Sequence, residues 1–260
     1  MSEELKKRIV VGVILIAVAI AALLAGGIAF WMLLSVAGVL MMGEWGALVG
    51  ADADRRKLAM YAVSIPLALL CPVAAGLAWI VLAAVIGAFA FLIATTRSLP
   101  LAMGVVYVCA PVAALTFLRG QEPGGLLLAF WSLALVWATD IGAYFAGRSI
   151  GGPKLAPRVS PSKTWSGLAG GVAAALALGF ALHVWAGLPV RLAAASGLLA
   201  VAAQLGDLLE SAMKRRAGVK DSGNLLPGHG GVMDRLDGVA TAAPLAAIIL
   251  LVGAGTGAGA

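Results

Sequence analysis

Charge is scarce in this sequence. Asp, Glu, Lys and Arg together make up 12% of its 260 residues, against 62% hydrophobic residues and a mean hydropathy of +1.03. A soluble domain of this length covers its surface with charged side chains, and that is excluded here. The acids and bases instead gather in short stretches between long apolar runs, as in an integral membrane protein. Cysteine is almost absent as well. Cys71 and Cys109 fall in separate apolar runs, which rules out a disulfide framework or a CxxC metal site and leaves both as packing residues. Also missing is the alternation of apolar and polar residues that a transmembrane β-barrel strand needs, so a closed barrel is excluded. No internal repeat stands out.

The apolar runs are long enough to cross a hydrocarbon core about 30 Å thick, which takes roughly 20 residues per helix. They predict an all-α, polytopic protein with about nine spans: 9–25, 28–48, 58–74, 76–95, 101–118, 125–146, 166–186, 190–210 and 239–256. The third and fourth are separated only near Cys71, Pro72 and Gly76. Five spans fill residues 1–120. The remainder, 121–260, carries two polar loops at 147–165 and 211–238 and is expected to be the catalytic region. The segment GGVAAALALG in the seventh span reads as a packing face. The terminal GAGTGAGA reads as a frayed tail. MSEELKKR followed by an apolar run has the charge order of a signal sequence but no small-residue cleavage site, so it is read as an uncleaved first helix.

Lys and Arg accumulate in cytoplasmic loops, which fixes an orientation. With the N-terminus inside, all of the 18 basic residues except Arg119 and Arg191 fall on the cytoplasmic side. Both polar loops then face the cytoplasm, and a bacterial-type inner membrane is the expected location. The net charge of +6 follows from the same bias and from attraction to anionic headgroups, so nucleic acid is not an expected partner.

Acids at membrane depth cost about 2.5–3.5 kcal/mol each if charged at the centre of an isolated helix, so each needs a reason. Asp207, Glu210 and Ser211 stand at i, i+3 and i+4 and share a helix face. Two carboxylates and a hydroxyl suit a hard cation such as Mg²⁺, which keeps waters and takes further ligands from substrate phosphates. Asp207 fits that role best. Glu210 fits it equally with an interfacial pairing to Lys214. Asp140, in WATDIGAYFAGR, needs a cation or a partner such as Arg148 or a buried lysine. Glu44, in GEWG, is near enough to the interface to snorkel and receives no role.

The loop RSIGGPKLAPRVSPSKTWSG sets Ser160, Ser162, Lys163 and Thr164 just before a helix, where hydroxyls, free N–H groups and an ammonium suit phosphate. Lys154 and Arg158 serve topology as readily as function. In the last loop, His229, Gly230 and Gly231 precede Asp234, Arg235 and Asp237, placing two carboxylates and an arginine within one helical turn. The paired glycines let backbone N–H groups approach phosphate. His229 fits a general base, a phosphate donor or a structural residue. Lys220 and Asp221 fit a salt-bridged pair or catalytic groups. His183, in FALHVWAG, reads as a packing or interfacial residue.

The segment SAMKRRAGVKDSGNLLPGHGGVMDRLD, residues 211–237, resembles the signature of phosphatidate cytidylyltransferases, the CDP-diacylglycerol synthases. Ser211, Lys214 and Arg215, Lys220 and Asp221, Pro227, His229 to Gly231, and Asp234, Arg235 and Asp237 carry the match. DIGAYFAGR and SPSKTW are also similar to family segments, whereas the N-terminal half matches in hydropathy alone. Ser166 departs from the family, which often has an acid there.

The resemblance implies transfer of a cytidylyl group from CTP to phosphatidate, giving CDP-diacylglycerol and pyrophosphate in phospholipid biosynthesis. It also implies Mg²⁺, a homodimer, and a cation site involving Asp207 and Asp234 that holds one or two ions. Lys163, Lys214, Arg215, Lys220 and Arg235 would then neutralise phosphate. Two other readings remain open at this stage. A CTP-dependent kinase of a polyprenol or similar lipid would use such a site to move the γ-phosphate. An ion-coupled transporter would use intramembrane acids, but those acids belong at the midplane, not at one face.

Overall fold

The computed structural model describes residues 3–74, 79–226 and 228–255. Gly76, Pro227 and most of the terminal tail, each invoked above, lie outside them. Among the described residues there are nine α-helices: α1 Glu3–Ala25, α2 Gly27–Leu48, α3 Ala53–Leu69, α4 Trp79–Thr96, α5 Leu99–Arg119, α6 Gly125–Ser149, α7 Trp165–Ala186, α8 Val190–Arg216 and α9 Met233–Gly255. The long apolar runs dictate this, because a helix satisfies its backbone N–H and C=O groups within the segment where no water can.

Seven of the nine, α2 and α4 to α9, are long and apolar enough to span a bilayer. The other two, α1 and α3, are helices where spans were expected. In α1 the apolar stretch among the described residues is Ile9–Ala25, which coincides with the expected first span. The third helix has 17 residues, and at 1.5 Å per residue it extends only about 25 Å. It begins at Ala53, not near 58, because the Asp52 carboxylate caps it, accepting from Arg55 N at 2.8 Å. Its first turns therefore contain Asp54, Arg55, Arg56 and Lys57, which hydropathy alone assigns to a loop.

The same effect shortens the last loop. The eighth helix runs on through its basic end to Arg216 and α9 starts at Met233, leaving 217–232 between them. The other polar loop adds a β-hairpin. Strands β1, Lys154–Ala156, and β2, Ser160–Thr164, pair antiparallel with Lys154 opposite Thr164.

The chain forms two compact units: Met1–Gly120 with Met213–Leu236, and Gln121–Ala212 with Asp237–Ala260. In the first, indole N–H groups fasten α2 to its neighbours. Trp31 donates to Leu67 O and Trp45 to Pro100 O, each at 2.8 Å. The Trp45 ring also lies against Tyr107, with centroids 4.8 Å apart. Cys71 and Cys109 are free and buried in this unit, as packing residues should be. Arg119 donates to Leu23 O and Leu24 O, satisfying carbonyls at the end of α1. That capping accounts for one of the two basic residues outside the charge bias.

In the second unit α6 packs against α7 through small residues. A Cβ on Gly142 would sit 2.6 Å from Gly170 O, so only glycine permits this approach. The seventh-span glycines thus form the packing face expected of them. Trp131, fully buried, donates to Ser196 Oγ at 2.9 Å. Arg191, the other exception to the charge bias, fills the space beside Gly253.

Candidate functional site

Two clusters hold the sequence-predicted residues, one in each unit. In the second unit a cavity of about 350 Å³ is lined by Asp140, Tyr144, Arg148, Ser162, Lys163, Thr164, Gln204 and Asp207, among others. The acids come from the C-terminal halves of α6 and α8, and the lysine comes from β2. Lys163 forms an ion pair with Asp207 and donates to Gln204 Oε1 at 2.9 Å. Gln204 in turn donates to Asp140 Oδ1 at 3.4 Å, and Ser211 Oγ donates to Asp207 Oδ1 at 3.2 Å. The shared helix face of Asp207 and Ser211 therefore forms as the spacing predicts.

Glu210, on the same turn, is fully buried. Asp140 opens into the cavity beside Arg148, with Gln204 as its hydrogen-bonded partner.

The hydroxyls of the 160–164 segment divide by position. Ser162 faces the cavity, whereas Ser160 pairs across the hairpin with Ala156. Thr164 is the N-cap of α7: its Oγ1 accepts from Gly167 N at 3.0 Å. Ser166, standing where the family often has an acid, donates to Gly151 O and lies 3.0 Å from Thr164 Oγ1. It ties the hairpin to the helix start. Lys154 and Arg158 are exposed and lie outside the residues that line this cavity. Asp237 belongs to this unit as well, and its Oδ1 accepts from Gly238 N at 2.7 Å. The close approach of α8 and α9 requires Gly206, because a Cβ there would strike Asp237 O and Thr241.

The first unit organises the rest around Asp234. Lys214 Nζ donates to its Oδ1 at 2.6 Å, both side chains being largely buried. Its Oδ2 accepts from Ser222 N at 2.9 Å, Ser222 Oγ at 3.0 Å and Gly231 N at 2.8 Å. The Gly231 N–H expected to reach for phosphate is thus directed at Asp234. A second cavity, of about 300 Å³, is lined by Lys220, Asp221, Asn224, Leu226, Gly228, His229, Gly230 and Arg235. Arg235 Nε donates to His229 O at 2.9 Å, and Gly230 takes a φ of +79° that an L side chain rarely adopts. Arg215 donates to Val219 O at 3.4 Å from an exposed position.

One acid overlooked by the sequence reading is central here. Glu44 does not snorkel: it is 9% exposed, and its carboxylate accepts from Val232 N at 2.9 Å, Met233 N at 2.8 Å and Ser222 Oγ at 3.0 Å. The only signal in the sequence was a carboxylate flanked by Gly43 and Gly46 in an otherwise apolar run. Gln204 and Ser222 were equally invisible as partners, because their roles depend on pairings across the fold.

Among the described residues, no group of three or more His, Cys, Asp or Glu side chains is gathered to hold a metal ion by itself. The donor set still fits Mg²⁺. One or two carboxylates, such as Asp207 with Asp140 in the cavity, leave positions for water and substrate phosphates, which is the shell this ion favours.

Comparison with known proteins agrees with this chemistry. A protein of Brucella suis named phosphatidate cytidylyltransferase is 40% identical over 260 residues, covering 94% of this chain and 92% of that one. Its namesake from Pseudomonas aeruginosa is 38% identical over 270 residues, covering 95% and 97%. A Bacillus subtilis protein of the same name is 48% identical over 123 residues, 46% of each chain. Because a sequence model of the cytidylyltransferase family matches residues 6–252 and such relatives align end to end, this chain belongs to that family.

Proposed function

We propose that this chain transfers the cytidylyl group of CTP to phosphatidate, yielding CDP-diacylglycerol and pyrophosphate. The observation that carries the reading is the cavity where Lys163, Arg148, Ser162 and Gln204 converge with Asp207 and Asp140, on a chain of long apolar helices. Near-full-length relatives with the name phosphatidate cytidylyltransferase support the substrates.

A phosphatidate oxygen attacks the α-phosphorus of CTP. The new O–P bond forms as the bond to the oxygen bridging the α- and β-phosphorus breaks, and that oxygen leaves with pyrophosphate. Phosphatidate is already ionised at neutral pH, so the chain need not supply a strong base. Its first task is to overcome repulsion between two anions.

Lys163 and Arg148 line one cavity, and Lys220 and Arg235 the other, so each offers cations to phosphate oxygens. Ser162 offers a hydroxyl in the first. His229, through the carbonyl that holds Arg235, is an orienting residue, not a base. Mg²⁺, held by Asp207 with Asp140 as a further ligand candidate, would neutralise phosphate charge and stabilise leaving pyrophosphate when bound, and Asp234 is a ligand candidate within the other unit. A second cation belongs to the same proposal, as do a homodimer and a site facing the cytoplasm from an inner membrane.

Purified protein in phosphatidate micelles with Mg²⁺ and CTP labelled at the α- or γ-phosphorus tests this. Label from the α-position is expected in lipid, with pyrophosphate released and transfer halted by EDTA. Label from the γ-position in lipid would make the chain a lipid kinase. No label from either would overturn nucleotide chemistry altogether.

A further inference from the structure

Glu44 stands out because burial of a carboxylate is costly unless its oxygens are supplied with donors. It sits near the end of α2, whose position is fixed by the neighbouring Trp45 indole on Pro100 O. Two of its donors, Val232 N and Met233 N, lie at the very start of α9. Those are N–H groups that a helix leaves without internal partners, and the helix dipole adds to their attraction for a carboxylate. Glu44 thus caps α9 from 188 residues away in the sequence.

The surrounding residues are shaped to it. A Cβ on Gly231 would lie 2.5 Å from Glu44 Oε2, and one on Gly223 would lie 2.8 Å from Oε1. Ser222 completes the arrangement. Its Oγ is 3.0 Å from Glu44 Oε2 and 3.0 Å from Asp234 Oδ2, so one hydroxyl proton is shared between two carboxylates.

On these contacts we infer that Glu44 is a positioning residue for the reaction. It docks Ser222 and the start of α9 onto α2 and, through that serine and Gly231, fixes the orientation of Asp234. The inference rests on the function proposed above, in which Asp234 serves the transfer.

The test uses the full chain in phosphatidate micelles and compares wild type, Glu44→Gln, Ser222→Ala and the double variant. Glutamine keeps the shape but turns an amide toward N–H donors. Glu44→Gln is expected to lower kcat about 10–100-fold, the usual loss when an outer-shell partner is removed. The KM values for CTP and phosphatidate should stay within about threefold, while hydrogen exchange at the Val232 and Met233 amides rises. Because Glu44 acts through Ser222, the double variant should be within about threefold of Glu44→Gln alone.

Losses that multiply in the double variant, a change confined to KM, or normal kcat despite faster exchange would each overturn the positioning role. If Glu44→Gln does not fold, Ser222→Ala carries the test: measured below the variant's own melting temperature, kcat should fall, and a normal kcat overturns the inference. Wild-type protein that transfers no label would instead overturn the function itself, and amide exchange alone would then decide the docking.

Discussion

Each unit contains a lysine paired with an aspartate, and the two pairs are built differently. Asp234 is 5% exposed at its side chain and receives Lys214, both donors of Ser222 and the Gly231 amide. Asp207 is 28% exposed, opens into a cavity, and receives Lys163 and Ser211. The first carboxylate is held in a fixed orientation within the fold, and the second faces the space where a ligand would enter. An acid held by backbone donors keeps its geometry whether or not a ligand is present. An acid held by one flexible ammonium and a hydroxyl is free to exchange partners.

Variants sharpen that contrast. The largest effect is expected from Asp234→Ala. It leaves the Lys214 ammonium buried without that carboxylate, a change that costs about 3–5 kcal/mol in comparable pairs, so the melting temperature and turnover should both collapse. Asp207→Asn should reduce turnover by about 10²–10³, the scale for removing one electrostatic stabiliser. Its effect on stability should stay within about 1 kcal/mol, as for other solvent-accessible ion pairs. Equal melting losses in these two variants would erase the distinction.

Lys163→Met should raise the KM for CTP about tenfold or more, since hydrogen bonds to charged groups contribute about 1.5–3 kcal/mol. Binding measured with non-hydrolysable CTP checks this without turnover. The smallest effect belongs to Thr164→Ala. Loss of its cap should cost about 1 kcal/mol in thermal unfolding, and Thr164→Ser should recover it. If serine restores the fold but not the rate, the Thr164 methyl matters to the substrate.

The contrast also marks what the sequence made legible. Local spacing found Asp207 with Ser211, because i and i+4 meet on any helix. It grouped His229, Arg235 and Asp234 because they lie within a few residues of one another. Hydropathy found the apolar helices, yet it ended them at their first charges. Thus Ala53, Arg216 and Met233, where polar turns continue or begin a helix, were assigned to loops. The β1–β2 hairpin was missed because its short strands carry no sustained alternation. Glu44 was missed for a deeper reason. Its donors lie 178 to 189 positions away, and no pattern around GEWG specifies a pairing at that distance.

The most direct measurement follows α-labelled CTP into lipid, together with the melting temperature, for wild type, Asp207→Asn and Asp234→Asn in the same micelles. Wild type should label lipid and both variants should not, with only Asp234→Asn melting markedly lower. Near-normal labelling in either variant, or an equal loss of stability in both, would contradict the division between a rigidly held carboxylate and a cavity-facing one that both serve the transfer.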